Sequence, residues 1–222
     1  MPLILNISFT FAAVLLFLFF FWQKLKEDYT RNQVFTTAFY TLFGVGAGNI
    51  IANFFAAPWW FYLGLVGGSL GILVGIFRFK LRIFETVEGG ILGGLILILF
   101  AFLHDFTINK TVFSGIGSVV LILGIFLYFL LNKHYKHFTW YASGKVGFSG
   151  LVIAGGFFLI RSLVALKFLS VLSFVGSYET LISGVAAFVC FLLLFNLARK
   201  SPCKNRKKTQ KYQKGKVAPL KT

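Results

Sequence analysis

Seven stretches of mostly apolar residues alternate with short polar breaks along this 222-residue chain. A helix rises 1.5 Å per residue, so about 20 residues cross the roughly 30 Å hydrocarbon core of a membrane. Inside lipid the backbone has to satisfy its own hydrogen bonds, which favours helices despite the many Phe, Ile and Val residues. The pattern therefore predicts an all-α bundle of about seven membrane-spanning helices, at 3–22, 34–55, 59–77, 87–104, 112–131, 147–167 and 180–198.

Composition agrees with this interpretation, because 58% of the residues are hydrophobic and only 13% are charged. A soluble domain has about a quarter charged residues. The first apolar stretch lacks a basic start and ends in Trp22 and Gln23 instead of a small-residue cleavage site, so it is interpreted as a retained helix. Cys190 and Cys203 offer no disulfide framework and no metal-ligand spacing. No metal and no cofactor are expected.

Basic residues predict the orientation of the bundle. Cytoplasmic loops of membrane proteins carry an excess of Lys and Arg. Of the 22 Lys and Arg residues, 19 follow the first, third, fifth and seventh helices, whereas only Lys110 and Lys167 lie in the other breaks. This bias predicts an N-terminus outside and a C-terminus inside. The formal net charge of +16 is thus a topology signal, and no specific nucleic-acid partner is expected.

The chain divides into a transmembrane domain, 1–198, and a basic cytoplasmic tail, 199–222. The tail holds ten of the 22 basic residues and few apolar ones, so we expect it to be disordered. Beside an anionic inner leaflet, each basic residue near the surface contributes about 1 kcal/mol of binding. Anionic inner-leaflet lipid is therefore the expected partner of the tail.

Glycines recur at helical spacing in three of the predicted helices. Gly64, Gly68, Gly71 and Gly75 share one face of the third helix, and similar groups occur in the second and fourth. Small residues of this kind let a neighbouring backbone approach closely. Tight helix packing is the first interpretation, and room for a lipid headgroup is the second.

Arg161 is the one Lys, Arg, Asp or Glu residue that lies away from the ends of a predicted span. Ionisable groups at such depth usually face the bundle interior or a wet cavity and mark function. Arg161 lies roughly six residues from the outer end of its helix, about 9 Å at 1.5 Å per residue, so it could also extend to the outer interface. A guanidinium facing the outer leaflet is suited to phosphate, because its fork makes bidentate contacts.

Four further polar residues lie near the ends of the fourth helix. Glu85 and Glu88 match the positive N-terminal end of the helix and could pair with Arg78, Lys80 or Arg82. His104 and Asp105 lie at its outer end, where a His beside a carboxylate could act as a general base. Neighbours on a helix do not face each other, so an interfacial polar cap is the alternative for that pair.

Residues 34–198 resemble a shortened, divergent member of the prolipoprotein diacylglyceryl transferase family. The likeness rests on the order of four segments: FYLGLVGGSLGILVGIFRFK, RIFETVEGGILGG, FAFLHDFTINK and KVGFSGLVIAGGFFLIRSLVALK. The family has seven transmembrane helices with the N-terminus outside. It transfers diacylglycerol from phosphatidylglycerol to the cysteine of a lipoprotein precursor, at the outer side of the bacterial inner membrane.

The resemblance implies candidate site residues. Arg161 falls on the arginine of the family's late Gly-Arg-Phe-x-x-Glu pattern, Glu88 on an acidic position, and Asn109 on a member of its Gly-Arg-x-Gly-Asn-Phe signature. Arg161, Asp105, Asn109 and Glu88 are thus the expected substrate-binding residues, and His104 is the candidate catalytic base. The family's histidine would fall at Leu63 or Gly64, its signature arginine near Phe102, the acid after the late arginine at Ala165, and its early arginine at Gly48 or Asn49.

The expected function is accordingly that of an integral membrane lipid-modifying protein of the bacterial inner membrane. Membrane phospholipid and a lipoprotein precursor are its expected partners. Because several family positions carry other residues, the first alternative is a catalytically inactive homologue that binds phospholipid or precursor. A small transporter is the second, although such proteins need charged or broken helices near the midplane and only Arg161 qualifies.

Overall fold

A computed structural model of the chain describes residues 2–134, 147–168, 171 and 173–198. The basic tail at 199–222, with Cys203, lies outside these residues. The described chain is helical and contains no strand. It has seven long helices, which we number α1 to α7: Pro2–Leu25, Arg31–Phe55, Trp60–Phe79, Ile83–Asn109, Val112–His134, Phe148–Ala165 and Glu179–Ala198.

Each of the seven is long and apolar enough to cross a membrane. The predicted fold class, an all-α membrane bundle, is thereby confirmed, and the chain is a multi-pass membrane protein. The predicted spans differ most at α4, which extends beyond 87–104 at both ends to Ile83 and Asn109. Both extensions carry carboxylates that the fold buries, Glu85 at the start of the helix and Asp105 near its end.

Helices α2 and α3 form the closest pair in the bundle. A Cβ atom on Gly44 would overlap the backbone of Gly67, and one on Gly48 would overlap the carbonyl of Leu63. Further along the pair, a Cβ atom on Gly71 would overlap the carbonyl of Tyr40. The two backbones are therefore in direct contact, as small-residue interfaces in membranes allow. The tight-packing interpretation of these glycines is confirmed.

Helices α1 and α4 pack through aromatic side chains that lie over glycines. Gly89 and Gly93 of α4 lie under Phe21 and Phe17 of α1, which are fully buried. Outward-facing side chains are equally apolar, as in Phe39, Phe54 and Phe55 of α2 or the long exposed face of α7. In water such a surface would be unstable, whereas acyl chains cover it at no cost.

Short loops close the bundle at its two ends, which we call the basic end and the opposite end. The basic end holds residues 26–30 and 80–82, and the opposite end holds the connections after α2, α4 and α6. At the basic end, the backbone N–H of Arg82 donates to the Tyr29 hydroxyl at 2.9 Å, and Arg82 pairs with Glu85 at 2.9 Å. Burial raises the pKa of the Tyr29 hydroxyl. The Arg82–Glu85 pair confirms one of the predicted partners of Glu85.

Candidate functional site

Arg161 lies inside the bundle near the opposite end, on α6. Its side chain is only 5% exposed, although the residue is four positions, or about 6 Å, from the end of the helix at Ala165. The guanidinium points toward α7 and the connection that precedes it. Arg161 therefore does not extend along α6 to the membrane surface, and the burial of its charge needs another explanation.

The explanation is a carboxylate at the first residue of α7. Arg161 Nη2 lies 2.7 Å from Glu179 Oε1, and Arg161 Nε donates to the same oxygen at 3.0 Å. On its other side, Nη1 donates to the Ser173 hydroxyl at 2.6 Å and Nη2 to the Ser173 carbonyl at 2.8 Å. Because a buried charge needs a paired and hydrogen-bonded counter-charge, these contacts account for Arg161 without any ligand.

Glu179 is fully buried and accepts hydrogen bonds from several donors besides Arg161. The hydroxyls of Tyr62 and Ser183 donate to its Oε1 at 2.8 and 2.6 Å, and the backbone N–H of Val175 donates to its Oε2 at 3.2 Å. These groups come from α3, from α7 and from the connection after α6. These donors satisfy the hydrogen-bonding capacity of a carboxylate that water does not reach.

Aromatic rings surround the guanidinium of Arg161. Its central carbon lies 4.0 Å from the ring centroid of Phe61 and 4.9 Å from that of Phe174. Phe157 and Tyr62 follow at 5.5 and 5.8 Å. Rings at these distances attract a cation through their negative faces, and they also keep water out. We call this group, Arg161, Glu179, Tyr62, Ser173 and Ser183 with the rings around it, the outer polar cluster.

Sequence reasoning missed Glu179. The predicted last span begins at 180, which puts Glu179 in a polar break and gives it no role. The available signal was its position: an acidic residue at the start of an apolar helix favours the positive end of that helix, and Arg161 needed an acid. The resemblance pointed to Ala165 as the lost acidic position. Ala165 is buried, and the acid comes from the next helix instead.

Asp105 and Asn109 lie together at the opposite end of α4. Asn109 Nδ2 donates to Asp105 Oδ1 at 2.7 Å, and the hydroxyls of Thr111 and Ser114 donate to Asp105 Oδ2. Thr111 directly precedes α5, so the buried carboxylate of Asp105 secures the turn into that helix and lies near its positive end. Asp105 thus acts as a polar cap of this turn, and its role in substrate binding stays a prediction.

His104 makes no hydrogen bond to Asp105 within the described residues. Its ring packs edge-on against Phe9 of α1, with 5.8 Å between the ring centroids. Its buried Nε2 has no hydrogen-bond partner among the described residues. Within those residues, no hydrogen bond or ring contact joins His104 to Arg161 or Glu179. A general base at His104 would therefore act apart from the outer polar cluster.

Glu88 lies at the basic end, well separated along α4 from Asp105. It is 2% exposed, and its Oε2 lies 3.1 Å from the ammonium of Lys24 on α1. That contact is outside hydrogen-bond geometry, so the attraction is between the charges. Lys24 also donates to Asn132 Oδ1 at 3.2 Å and lies 5.8 Å from the Tyr128 ring centroid, both on α5. None of the predicted partners of Glu88 contacts it; Lys24 does.

The five candidate residues are thus distributed over four places. Arg161 belongs to the outer polar cluster, Asp105 and Asn109 to the α4–α5 turn, and Glu88 to the basic end, whereas His104 faces α1. Of the positions where the family's catalytic residues would fall, Phe102 packs in the core over Gly117 and Gly64 lies against α2. Within the described ranges, no three His, Cys, Asp or Glu residues are grouped to hold a metal ion.

Comparisons with known proteins add no relative. No protein-family model matches the chain, and neither a curated protein nor a solved structure does. The fold, the pairing of the helices and the polar groups at the outer cluster, the α4–α5 turn and the basic end are therefore described from this chain alone.

Proposed function

We propose that this multi-pass membrane protein binds phospholipid in a bundle that resembles the diacylglyceryl transferases, without transferring the diacylglyceryl group. The proposed membrane is the bacterial inner membrane, and the proposed ligand is the phosphodiester of phosphatidylglycerol in its outer leaflet. Arg161 carries the proposal, because it is a guanidinium fixed inside the bundle about 6 Å from the end of α6. Its planar fork suits a phosphate better than an ammonium would.

The absence of turnover is proposed from the surroundings of Arg161. Transfer to a thiol needs a base that removes its proton, within hydrogen-bond reach of the reacting group. The described groups that contact Arg161 are a paired carboxylate, a serine hydroxyl and carbonyl, and aromatic rings. His104, the candidate base, packs against Phe9 instead.

An active transferase is the second form of the proposal, favoured by the order of the four segments that resemble the family. In that form a lipoprotein precursor would be the acceptor. In the binding form the precursor is a further partner, and the basic tail holds the protein to anionic lipid of the inner leaflet. The two forms share the phosphatidylglycerol site and differ in whether a product appears.

A reconstitution assay tests both forms. Proteoliposomes would contain labelled phosphatidylglycerol, a lipobox peptide, and wild type, Arg161→Lys or Arg161→Ala. We expect the purified wild type to retain phosphatidylglycerol, Arg161→Lys to retain less because it lacks the fork, and Arg161→Ala to retain none. Lys167→Ala, an exposed cation near the same end, is the matched control and should behave as wild type.

The presence or absence of label on the lipobox peptide distinguishes the two forms. Label on the peptide with wild type alone would establish a transferase and overturn the proposal of binding without turnover. Retention that does not differ between wild type and Arg161→Ala would overturn the role of Arg161. Circular dichroism of each variant at the same concentration checks that the bundle has assembled.

A further inference from the structure

The outer polar cluster has the form of an oxyanion site that is already filled. Five polar hydrogens point at one carboxylate: two from Arg161, one each from the Tyr62 and Ser183 hydroxyls, and one from the backbone of Val175. Preorganised donors from several elements around one anion are the arrangement that proteins use to bind carboxylate and phosphate ligands. Here the anion belongs to the chain itself.

Most of these donors are held in place by contacts other than those with Glu179. Arg161 is fixed on its far side by the hydroxyl and carbonyl of Ser173, and Phe61 lies over its face. The Tyr62 ring packs against Phe61, with 5.0 Å between the centroids. These donors therefore stay in position without the Glu179 carboxylate, and another oxyanion could bind to them instead of that carboxylate.

We infer that Glu179 is a tethered occupant of an oxyanion site, which an external carboxylate or phosphodiester enters when the Glu179 side chain withdraws. Glu179 is the first residue of α7, directly after the short turn Gly176–Tyr178, so its side chain can withdraw without breaking the helix behind it. That the natural competitor is a lipid phosphodiester rests on the proposed function. The existence of the site does not.

Competition predicts the size of the effect on lipid binding. A ligand that needs a vacant site has its apparent Kd raised by the inverse of the vacant fraction. If Glu179 leaves the site vacant in about 10% of molecules or fewer, removing its carboxylate tightens binding by about tenfold or more. Wild type then binds phosphodiesters less tightly than a variant without the carboxylate does.

Replacing Glu179 by alanine tests the site with a free ligand. Glu179→Ala removes the side-chain atoms beyond Cβ, which together have the size and charge of an acetate ion. We expect the variant to melt at a lower temperature than wild type, and acetate to restore much of the difference while the uncharged isostere acetamide does not. Glu179→Gln, which fills the same volume, should not respond to acetate, and neither should the double variant Arg161→Met/Glu179→Ala.

A variant that does not assemble without an anion is still informative. Purification in acetate, followed by its removal, gives the same comparison, and loss of the folded form on removal is the expected direction. Failure of acetate to stabilise Glu179→Ala, or equal stabilisation by acetamide, would overturn the inference, because the vacated donors would then not select an anion.

Labelled phosphatidylglycerol in nanodiscs distinguishes this inference from the proposed function. Tighter binding by Glu179→Ala than by wild type, lost in the double variant, supports both. Binding by wild type that depends on Arg161 but is not tightened in Glu179→Ala overturns the tethered-occupant inference and leaves the proposed function standing. Acetate rescue with no phosphatidylglycerol binding by either protein supports the oxyanion site and overturns the lipid function.

Discussion

Two ion pairs with buried carboxylates join helices in the described chain, one at each end of the bundle. At the opposite end, Arg161 of α6 meets Glu179 of α7. At the basic end, Lys24 of α1 meets Glu88 of α4, with Asn132 of α5 as a second partner of the ammonium. An unpaired charge at either place would have to lose its water without compensation, so the two members of a pair depend on each other.

Removing only the cation of the basic-end pair should therefore destabilise the protein more than removing both charges together. Leaving a buried charge without its partner costs about 3–5 kcal/mol of the free energy of unfolding. For Lys24→Met we expect a decrease near the lower end of that range, because Lys24 is partly exposed. The double variant Lys24→Met/Glu88→Gln leaves no charge and should lose less. Thermal unfolding in detergent measures both.

Lys26→Met is the matched control for that series. Lys26 lies at the same end and is exposed, so its replacement should change the free energy of unfolding by no more than about 0.5 kcal/mol. A double variant less stable than Lys24→Met would contradict the prediction, since the carboxylate of Glu88 would then not be the source of the loss.

Sequence reasoning singles out Arg161, Glu88 and Asp105 but predicts few of their partners. The pairing of Arg82 with Glu85 was predictable because the two residues lie three positions apart at the start of one helix. Lys24–Glu88 and Arg161–Glu179 join different helices, and only the packing of the bundle decides which helix ends meet. The hydroxyls that donate to Asp105 come from Thr111 and Ser114, beyond the end of α4, so spacing within that helix does not predict them.

At the scale of the helix, glycine position decides which pairs pack by backbone contact. Gly44 and Gly46 both lie on α2, two residues apart and therefore on different faces. A Cβ atom on Gly44 would overlap the backbone of Gly67, whereas one on Gly46 would meet nothing within 4 Å. Spacing alone grouped these glycines in the sequence, and the structure separates those that pack from those that do not.

Alanine at these two glycines should have opposite effects. Gly44→Ala has to push α2 and α3 apart, which costs about 1–3 kcal/mol as overpacking does. Gly46→Ala has room and improves helix propensity by up to about 1 kcal/mol, so its stability should equal or exceed that of wild type. Melting temperatures in detergent give the comparison, and equal destabilisation by both variants would rule out backbone contact as the cause.

The extents of the helices were predictable where apolar residues continue and less so where buried polar residues extend a span. α5 and α7 begin within one residue of the predicted 112 and 180. α4 runs five residues past the predicted 104, through Asp105 and Asn109, because the turn to α5 satisfies their polar groups inside the protein. Hydropathy counts such residues as a break, whereas tertiary hydrogen bonds allow the helix to continue.

For the whole molecule, the distribution of basic residues predicts which end faces the cytoplasm. Five exposed basic residues lie at the basic end: Lys26, Arg31, Arg78, Lys80 and Lys133. Lys26 follows α1 and Lys80 follows α3, and the other ends of these two helices carry almost no charged side chains. Loops rich in Lys and Arg remain on the cytoplasmic side during insertion. The same orientation puts the outer polar cluster at the outer leaflet, which the proposed lipid function requires.

Cysteine labelling in intact cells tests that orientation. In a background of Cys190→Ser and Cys203→Ser, Asp28→Cys reports the basic end and Tyr178→Cys the opposite end, since both positions are exposed. A membrane-impermeant maleimide should label Tyr178→Cys in intact cells, and Asp28→Cys only after permeabilisation. The reverse pattern would place Arg161 and Glu179 at the inner leaflet, where an outer-leaflet phosphatidylglycerol could not reach them.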